Sequence, residues 1–272
     1  MKIFVSDYDG TFTKHDGNTA EIKDNLAQVQ AWRRAGNIFV FATGRSVSLM
    51  RTFVEKGIEC DYLVALNGGI VTSGDHKLLF ESAIPHDVAV EIMALVKEWG
   101  FRNYTITDGF FQHRKSVLCD FLARFGVGFW RKIGLVFAWF QLCAPCFKNN
   151  VSYKEAMRRP VGQISIATDS HERAADFAAL INQRFSGKIA TYMNEASVDI
   201  TCHGVSKATG IAHIAQLLDV SDEHIYCMGD SYNDIPMLET YHGFTVPKAS
   251  QEVKAKAEGV YNTVGDAIRA LL

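Results

Sequence analysis

The chain has 272 residues, 48% hydrophobic and 21% charged, which excludes a disordered or fibrous polymer and allows one large domain or two ordinary ones. Lys plus Arg is 28 against Asp plus Glu 30, a formal net charge of -2 with no long basic run, so electrostatic capture of nucleic acid is excluded. Six cysteines accompany an N-terminus that turns acidic at Asp7, where a secretory leader would stay apolar, so the expectation is reduced thiols in a cytoplasmic protein.

Lys2–Ser6 is an apolar run that reads as a buried strand. It ends in Asp7-Tyr8-Asp9-Gly10-Thr11. Ligands of an open parallel sheet bind at the carboxyl edge of its strands. Two carboxylates held close there repel each other until a divalent cation relieves them, and a hard oxygen set suits magnesium. Gly10 lets the chain turn sharply away, leaving both acids facing the cleft. The plainer alternative is a pair of turn-capping aspartates.

Thr19 then opens an amphipathic helix carrying Ile22, Leu26, Val29 and Trp32, which Gly36 stops. Asn37–Ala42 is a second strand, and Thr43-Gly44-Arg45 follows it. A hydroxyl at a strand end, with backbone amides opening a helix, makes a cradle for a phosphate oxygen. By itself, that tripeptide is also a common strand-to-helix turn. Ser46–Lys56 reads as a helix and Tyr62–Leu66 as a third strand. Strands alternating with helices imply a parallel sheet.

At Pro85 the rhythm changes. A helix near Val88–Trp99, strands near Tyr104–Thr107 and Gly162–Ala167, and a helix near His171–Arg184 suggest a separate α+β domain. Within it, Ile133–Phe147 carries no charge but is too short for a membrane span. It reads as the insert's own core or, if exposed, as a homodimer face, a lipid-facing surface or a lid. Cys143-Ala-Pro-Cys146 lacks a second Cys or His pair and reads as small buried hydrophobes rather than a zinc site.

The alternation returns after about residue 190. Lys207 opens a helix over Ser206–Leu218, where a lysine aimed at the cleft would balance phosphate charge, though a lone lysine is usually only solvated. The strand His224–Met228 runs into Gly229-Asp230-Ser231-Tyr232-Asn233-Asp234, placing acids once more after a buried strand. Asp230 and Asp234 are candidates to hold a metal directly and from behind. A helix Asn233–Thr240, a strand Phe244–Val246 and a helix Val264–Leu271 complete the chain. The expected architecture is α/β: a Rossmann-like doubly wound parallel sheet from residues 1–84 and 190–272, with an α+β domain inserted over 85–189.

Asp7-Tyr8-Asp9-Gly10-Thr11, Thr43-Gly44-Arg45, Lys207 and Gly229-Asp230-Ser231-Tyr232-Asn233-Asp234 resemble the four ordered motifs of the haloacid dehalogenase superfamily. The large insert and Asn67-Gly68-Gly69 resemble its Cof-type sugar-phosphatase branch, which carries a type IIB cap. The resemblance implies a phosphatase acting on a small phosphorylated metabolite through an aspartyl-phosphate. Asp7 would attack phosphorus, and Asp9 would serve as general acid and then base. Asp7 and Asp230 would bind Mg2+ by side chain and Asp9 by its backbone carbonyl, with Asp234 and Asn233 supporting them. Thr43, Gly44 and Lys207 would hold the phosphoryl group, with Asn67 and Arg45 on the substrate side. The aromatic-rich stretch Phe121–Phe147 matches no signature of the family, and the cap supplies substrate contacts in such enzymes. A phosphomannomutase-like phosphotransferase and a non-catalytic phosphometabolite sensor are the competing readings; a sensor could dispense with Asp7 or Asp9.

Overall fold

The computed structural model describes residues 1–13, 19–54, 58–115, 149–194 and 196–272. In chain order its strands are β1 (Ile3–Ser6), β2 (Ile38–Ala42), β3 (Tyr62–Ala65), β4 (Ile70–Ser73), β5 (Leu78–Glu81), β6 (Asn103–Thr107), β7 (Gln112–Lys115), β8 (Gln163–Ala167), β9 (Ile189–Asn194), β10 (Ser197–Cys202), β11 (Ile225–Gly229), β12 (His242–Thr245) and β13 (Gly259–Val260). The longer helices are α1 (Thr19–Arg34), α2 (Val47–Val54), α3 (His86–Glu98), α4 (His171–Arg184), α5 (Lys207–Leu218), α6 (Ile235–Thr240) and α7 (Val264–Leu271). The chain divides into two units: Met1–Arg45, Lys56–Ser82 and Gly204–Leu272 form the first, and Ser46–Glu55 with Ala83–His203 the second.

The first unit is built on a sheet of order β13-β12-β11-β1-β2-β3-β4-β5. Neighbours from β13 to β3 are parallel, and β4 and β5 add an antiparallel hairpin. Ile3 of β1 lies opposite both Ile38 and Ile225, so the ends of β1, β2 and β11 are level. The chain runs from β1 to β2 and β3 on one side and returns through β11 to β13 on the other. The carboxyl edge of β1 is therefore the switch point at which open α/β sheets bind ligands.

The central strands β1, β2, β3 and β11 are buried because their side chains are mostly apolar on both faces, as parallel strands covered by helices require. Phe4, Phe39, Phe41, Phe12 and Trp32 form one aromatic cluster, with ring centroids between 4.9 and 6.3 Å apart. Each such side chain contributes roughly 1.5–3 kcal/mol by leaving water. The buried Trp32 Nε1 donates to the Ile38 carbonyl at 2.8 Å, which satisfies its polar edge. Buried Asn25 donates to the Phe12 carbonyl and accepts from the Gly265 amide, fastening α1 to the start of α7.

The second unit has an antiparallel sheet of order β7-β6-β8-β10-β9. Ile164 and Ile166 of β8 and Val198 and Ile200 of β10 share a core with Ile92 and Val96 of α3 and Phe177 and Ile181 of α4. Two boundaries differ from the sequence reading. The return to the first unit comes at Gly204 rather than near residue 190, because Ile189–Asn194 pairs with Ser197–Cys202, which pairs on its other side with β8. Ser46–Glu55 also groups with the second unit: the Ser48 amide donates to the Gly109 carbonyl at 3.1 Å, and the Arg51 guanidinium lies over the Phe110 ring.

The apolar segment Ile133–Phe147 and Cys119, Cys143 and Cys146 lie outside the described residues. Among the described residues no helix is long and apolar enough to cross a membrane, and Cys60, Cys202 and Cys227 are free thiols.

Candidate active site

All the candidate residues stand on the first unit, on the loops that follow β1, β2, β3 and β11 and at the start of α5. The Asp7 amide donates to the Met228 carbonyl at 2.9 Å, so the chain stays paired to β11 one residue past β1. Gly10 then turns it at φ +84°, a backbone angle that favours glycine. A Cβ at that position would fall 2.4 Å from an Asp230 carboxylate oxygen, so glycine also makes room for the acid. The turn closes through the Gly10 amide on the Thr13 carbonyl and the Phe12 amide on the Asp7 carbonyl.

Lys207 is the first residue of α5, where Ser206 caps the helix in a reciprocal pair with Thr209. Its side chain is 0% exposed. The ammonium donates to Asp7 Oδ1 at 2.7 Å and to Asp234 Oδ1 at 2.6 Å. The other Asp234 oxygen accepts from the Asp230 and Ser231 amides at 3.0 and 2.9 Å. Both oxygens of Asp234 are thus engaged inside the protein, which suits it to orient Lys207 and the Asp230 loop.

Asp230 accepts from the Thr11 hydroxyl at 2.9 Å. Thr11 is wholly buried, and sequence reasoning gave it no role of its own. Its place directly after the Gly10 turn, in the same run as the two acids, was the available signal.

Thr43 is buried at the end of β2, its amide bonded to the Val64 carbonyl at 2.8 Å and its hydroxyl accepting from the Arg45 amide at 3.1 Å. Gly44 beside it is half-buried. Asn67 was expected on the substrate side, but it is 0% exposed and accepts from the Asn233 side chain at 2.9 Å. It therefore ties the loop after β3 to the loop after β11. Gly68 next to it sits at φ +107°, and a Cβ there would come 1.9 Å from the Ser206 carbonyl oxygen. Only glycine allows that loop to lie against the start of α5. Arg45 does not stand apart: both its Nε and Nη2 donate to the Asp9 carboxylate.

One oxygen each from Asp7, Asp230 and Asp234 lie within 4.8 Å of one another. Three carboxylates around one ammonium leave an excess of negative charge at a buried position. That donor set is all hard oxygen, and a small dication fits its charge and chemistry. Burial pushes the Asp7 carboxyl up; Lys207 opposes this, while Asp234 and Asp230 add to it. Burial and Asp234 likewise raise Asp230, against the Thr11 hydrogen bond. Burial works against the charged Lys207 ammonium, but Asp234 and Asp7 outweigh it and its pKa rises. The ammonium is therefore held charged between its two carboxylates.

The haloacid dehalogenase-like hydrolase family model matches residues 4–267. A relative in Escherichia coli K12, the 5-amino-6-(5-phospho-D-ribitylamino)uracil phosphatase YbjI, is 24% identical over 270 residues, covering 95% of this chain and 89% of its own. Among solved structures, a haloacid dehalogenase-like hydrolase from Bacillus subtilis superimposes with a TM-score of 0.80 at 20% identity, covering 100% of both chains. The subclass IIB sugar phosphatase BT4131 superimposes with a TM-score of 0.74 at 22% identity, covering 100% of this chain and 98% of its own. At such identities these two likenesses establish the fold.

Proposed function

The chain belongs to the haloacid dehalogenase-like hydrolases, and from that premise we propose that it is a magnesium-dependent phosphatase that carries the phosphoryl group of a small metabolite on Asp7. The observation that carries this reading is the buried Lys207 ammonium shared by Asp7 and Asp234, with Asp230 alongside, at the switch-point edge of β1.

An Asp7 oxygen attacks phosphorus and the bond to the leaving oxygen breaks, with Asp9 giving that oxygen a proton. Asp9 then takes a proton from water as the water oxygen attacks phosphorus. The bond to Asp7 breaks, inorganic phosphate leaves, and both aspartates return to their starting states. Lys207 and the Thr43 hydroxyl hold the transferring group and offset its charge. Asp7 and Asp230 would hold the magnesium ion by side chain and Asp9 by its carbonyl, with Asp234 and Asn233 bracing them. When bound, the ion supplies positive charge that lowers the repulsion between two anions. A sensor would have no use for the complete set of Asp7, Asp9 and Lys207.

The inserted unit is assigned to leaving-group selection. The E. coli relative is named for a phosphoribityl compound and BT4131 is named as a sugar phosphatase. A phosphorylated polyol or sugar is accordingly the substrate class we assign.

The test is metal removal. Turnover of a sugar phosphate or a simple aryl phosphate should fall to background in excess chelator and return on adding magnesium. Undiminished turnover in chelator would refute the proposed site.

A further inference from the structure

Arg45 makes a contact that neither phosphate binding nor metal binding explains. Its Nε donates to one Asp9 carboxylate oxygen and its Nη2 to the other, a two-pronged pair in which the side chains are 30% and 38% exposed. The guanidinium lies 5.5 Å from the centroid of Tyr8, whose ring is buried against Phe41. The Arg45 backbone is fixed on both sides, its amide on the Thr43 hydroxyl and its carbonyl on the Leu66 amide. Arg45 thus reaches Asp9 from an anchored stem, with its planar head steadied by a ring.

A fork of this kind fixes direction as well as charge, because two parallel N–H donors accept only one carboxylate orientation. Asp9 stands on a turn bridged to Thr13, and its side chain is 38% exposed, so among the described residues the Arg45 fork is what sets the direction of its carboxylate.

We propose that Arg45 is a positioning residue for Asp9. One prong opens so that the freed Asp9 oxygen carries the proton given to the leaving oxygen and later takes one from the attacking water, while the other prong keeps the carboxyl aimed. This rests on the reading of Asp9 as the acid and base. Arg45 would then contribute to kcat through Asp9, and little to KM.

The experiment is a double-mutant cycle on the magnesium-loaded protein, using an alkyl phosphate and an aryl phosphate. The aryl leaving group departs without a proton, so only breakdown of the intermediate needs Asp9 in that case. Arg45→Ala should lower kcat on the alkyl ester by about ten- to a hundredfold, part of the roughly 10²–10⁴ that a positioned acid–base group supplies. On the aryl ester it should give a burst of one phenolate per site followed by slow turnover. Arg45→Lys, which keeps the charge but not the fork, should recover only part of the loss. In an Asp9→Ala background, Arg45→Ala should cost nothing further.

An equal cost in both backgrounds, or a rise in KM with kcat unchanged, would overturn the proposal and make Arg45 a substrate contact. Thermal melting of Arg45→Lys and Arg45→Ala separates misfolding from this effect, because an unfolded variant shows no burst. If Asp9→Ala itself leaves turnover intact, it is the acid–base reading that fails; if Asp9→Ala is crippled and Arg45→Ala is not, only this inference fails.

Discussion

Replacing Asp7 by Asn should lower turnover by roughly three to five orders of magnitude, the scale on which a lost nucleophile is felt. The amide has nearly the shape of the carboxylate, so the packing at the end of β1 should survive. It lacks the anionic oxygen that attacks phosphorus. It also removes one of the carboxylates that crowd Lys207, and burial already pushes the Asp7 carboxyl up. Asp7→Asn should therefore fold at least as stably as the parent while losing activity. That pairing separates a catalytic loss from a structural one. Thermal melting and turnover of the same preparation, shown free of deamidation, check it. Turnover within tenfold of the parent would remove Asp7 from the chemistry.

Lys207→Met should instead cost stability as well as activity. Methionine has a similar reach and no charge, so the cavity stays filled. What is lost is the cation between two buried carboxylates, with Asp230 nearby as a third. Breaking a buried pair by removing one partner costs about 3–5 kcal/mol, because the remaining charge is stranded.

The sign with pH follows from Asp7, whose folded-state pKa is raised. Such a group favours the folded state below its unfolded pKa, and that contribution fades as pH rises through the folded value. The deficit of Lys207→Met should accordingly be smallest in acid and grow toward neutrality. Denaturant titrations of both proteins at several pH values measure it. A variant as stable as the parent at neutral pH would mean that the ammonium does not hold the two acids.

The parts of the site that carry charge were readable because their chemistry is confined to short runs after apolar strands. Asp7 and Asp9 after β1, Lys207 at the start of α5, and Asp230 and Asp234 after β11 stand where the strand-and-helix rhythm of the sequence put them. What was not readable depends on partners distant in sequence. Asn67 was expected on the substrate side; it is buried and accepts from Asn233, 166 positions away. Arg45 looked like a substrate contact, yet its fork is closed on Asp9.

The fold divides in the same way. The strand at 197–202 alternates well enough to be read as a strand, but periodicity does not say which sheet it joins, and it pairs with β8 and β9. The segment Gln112–Lys115 is polar throughout and becomes a strand only because β6 lies beside it. The hairpin of β4 and β5 escaped because no α-helix separates it from β3 as the strand-and-helix rhythm requires, and Leu78 and Leu79 stay exposed at the sheet edge.

The central claim is that the phosphoryl group rests on Asp7 between two displacements. In Asp9→Asn the second displacement lacks its base, so the intermediate should accumulate when the first is driven by an aryl phosphate, whose leaving group departs without help. The decisive measurement is the mass of the peptide containing Asp7, taken from Asp9→Asn protein mixed with aryl phosphate and magnesium and quenched in acid. A gain of one phosphoryl group on Asp7 is expected, absent when magnesium is withheld and absent when Asp7 is also changed to Asn. Phosphate release with no adduct at any time point, or an adduct on another residue, would contradict it.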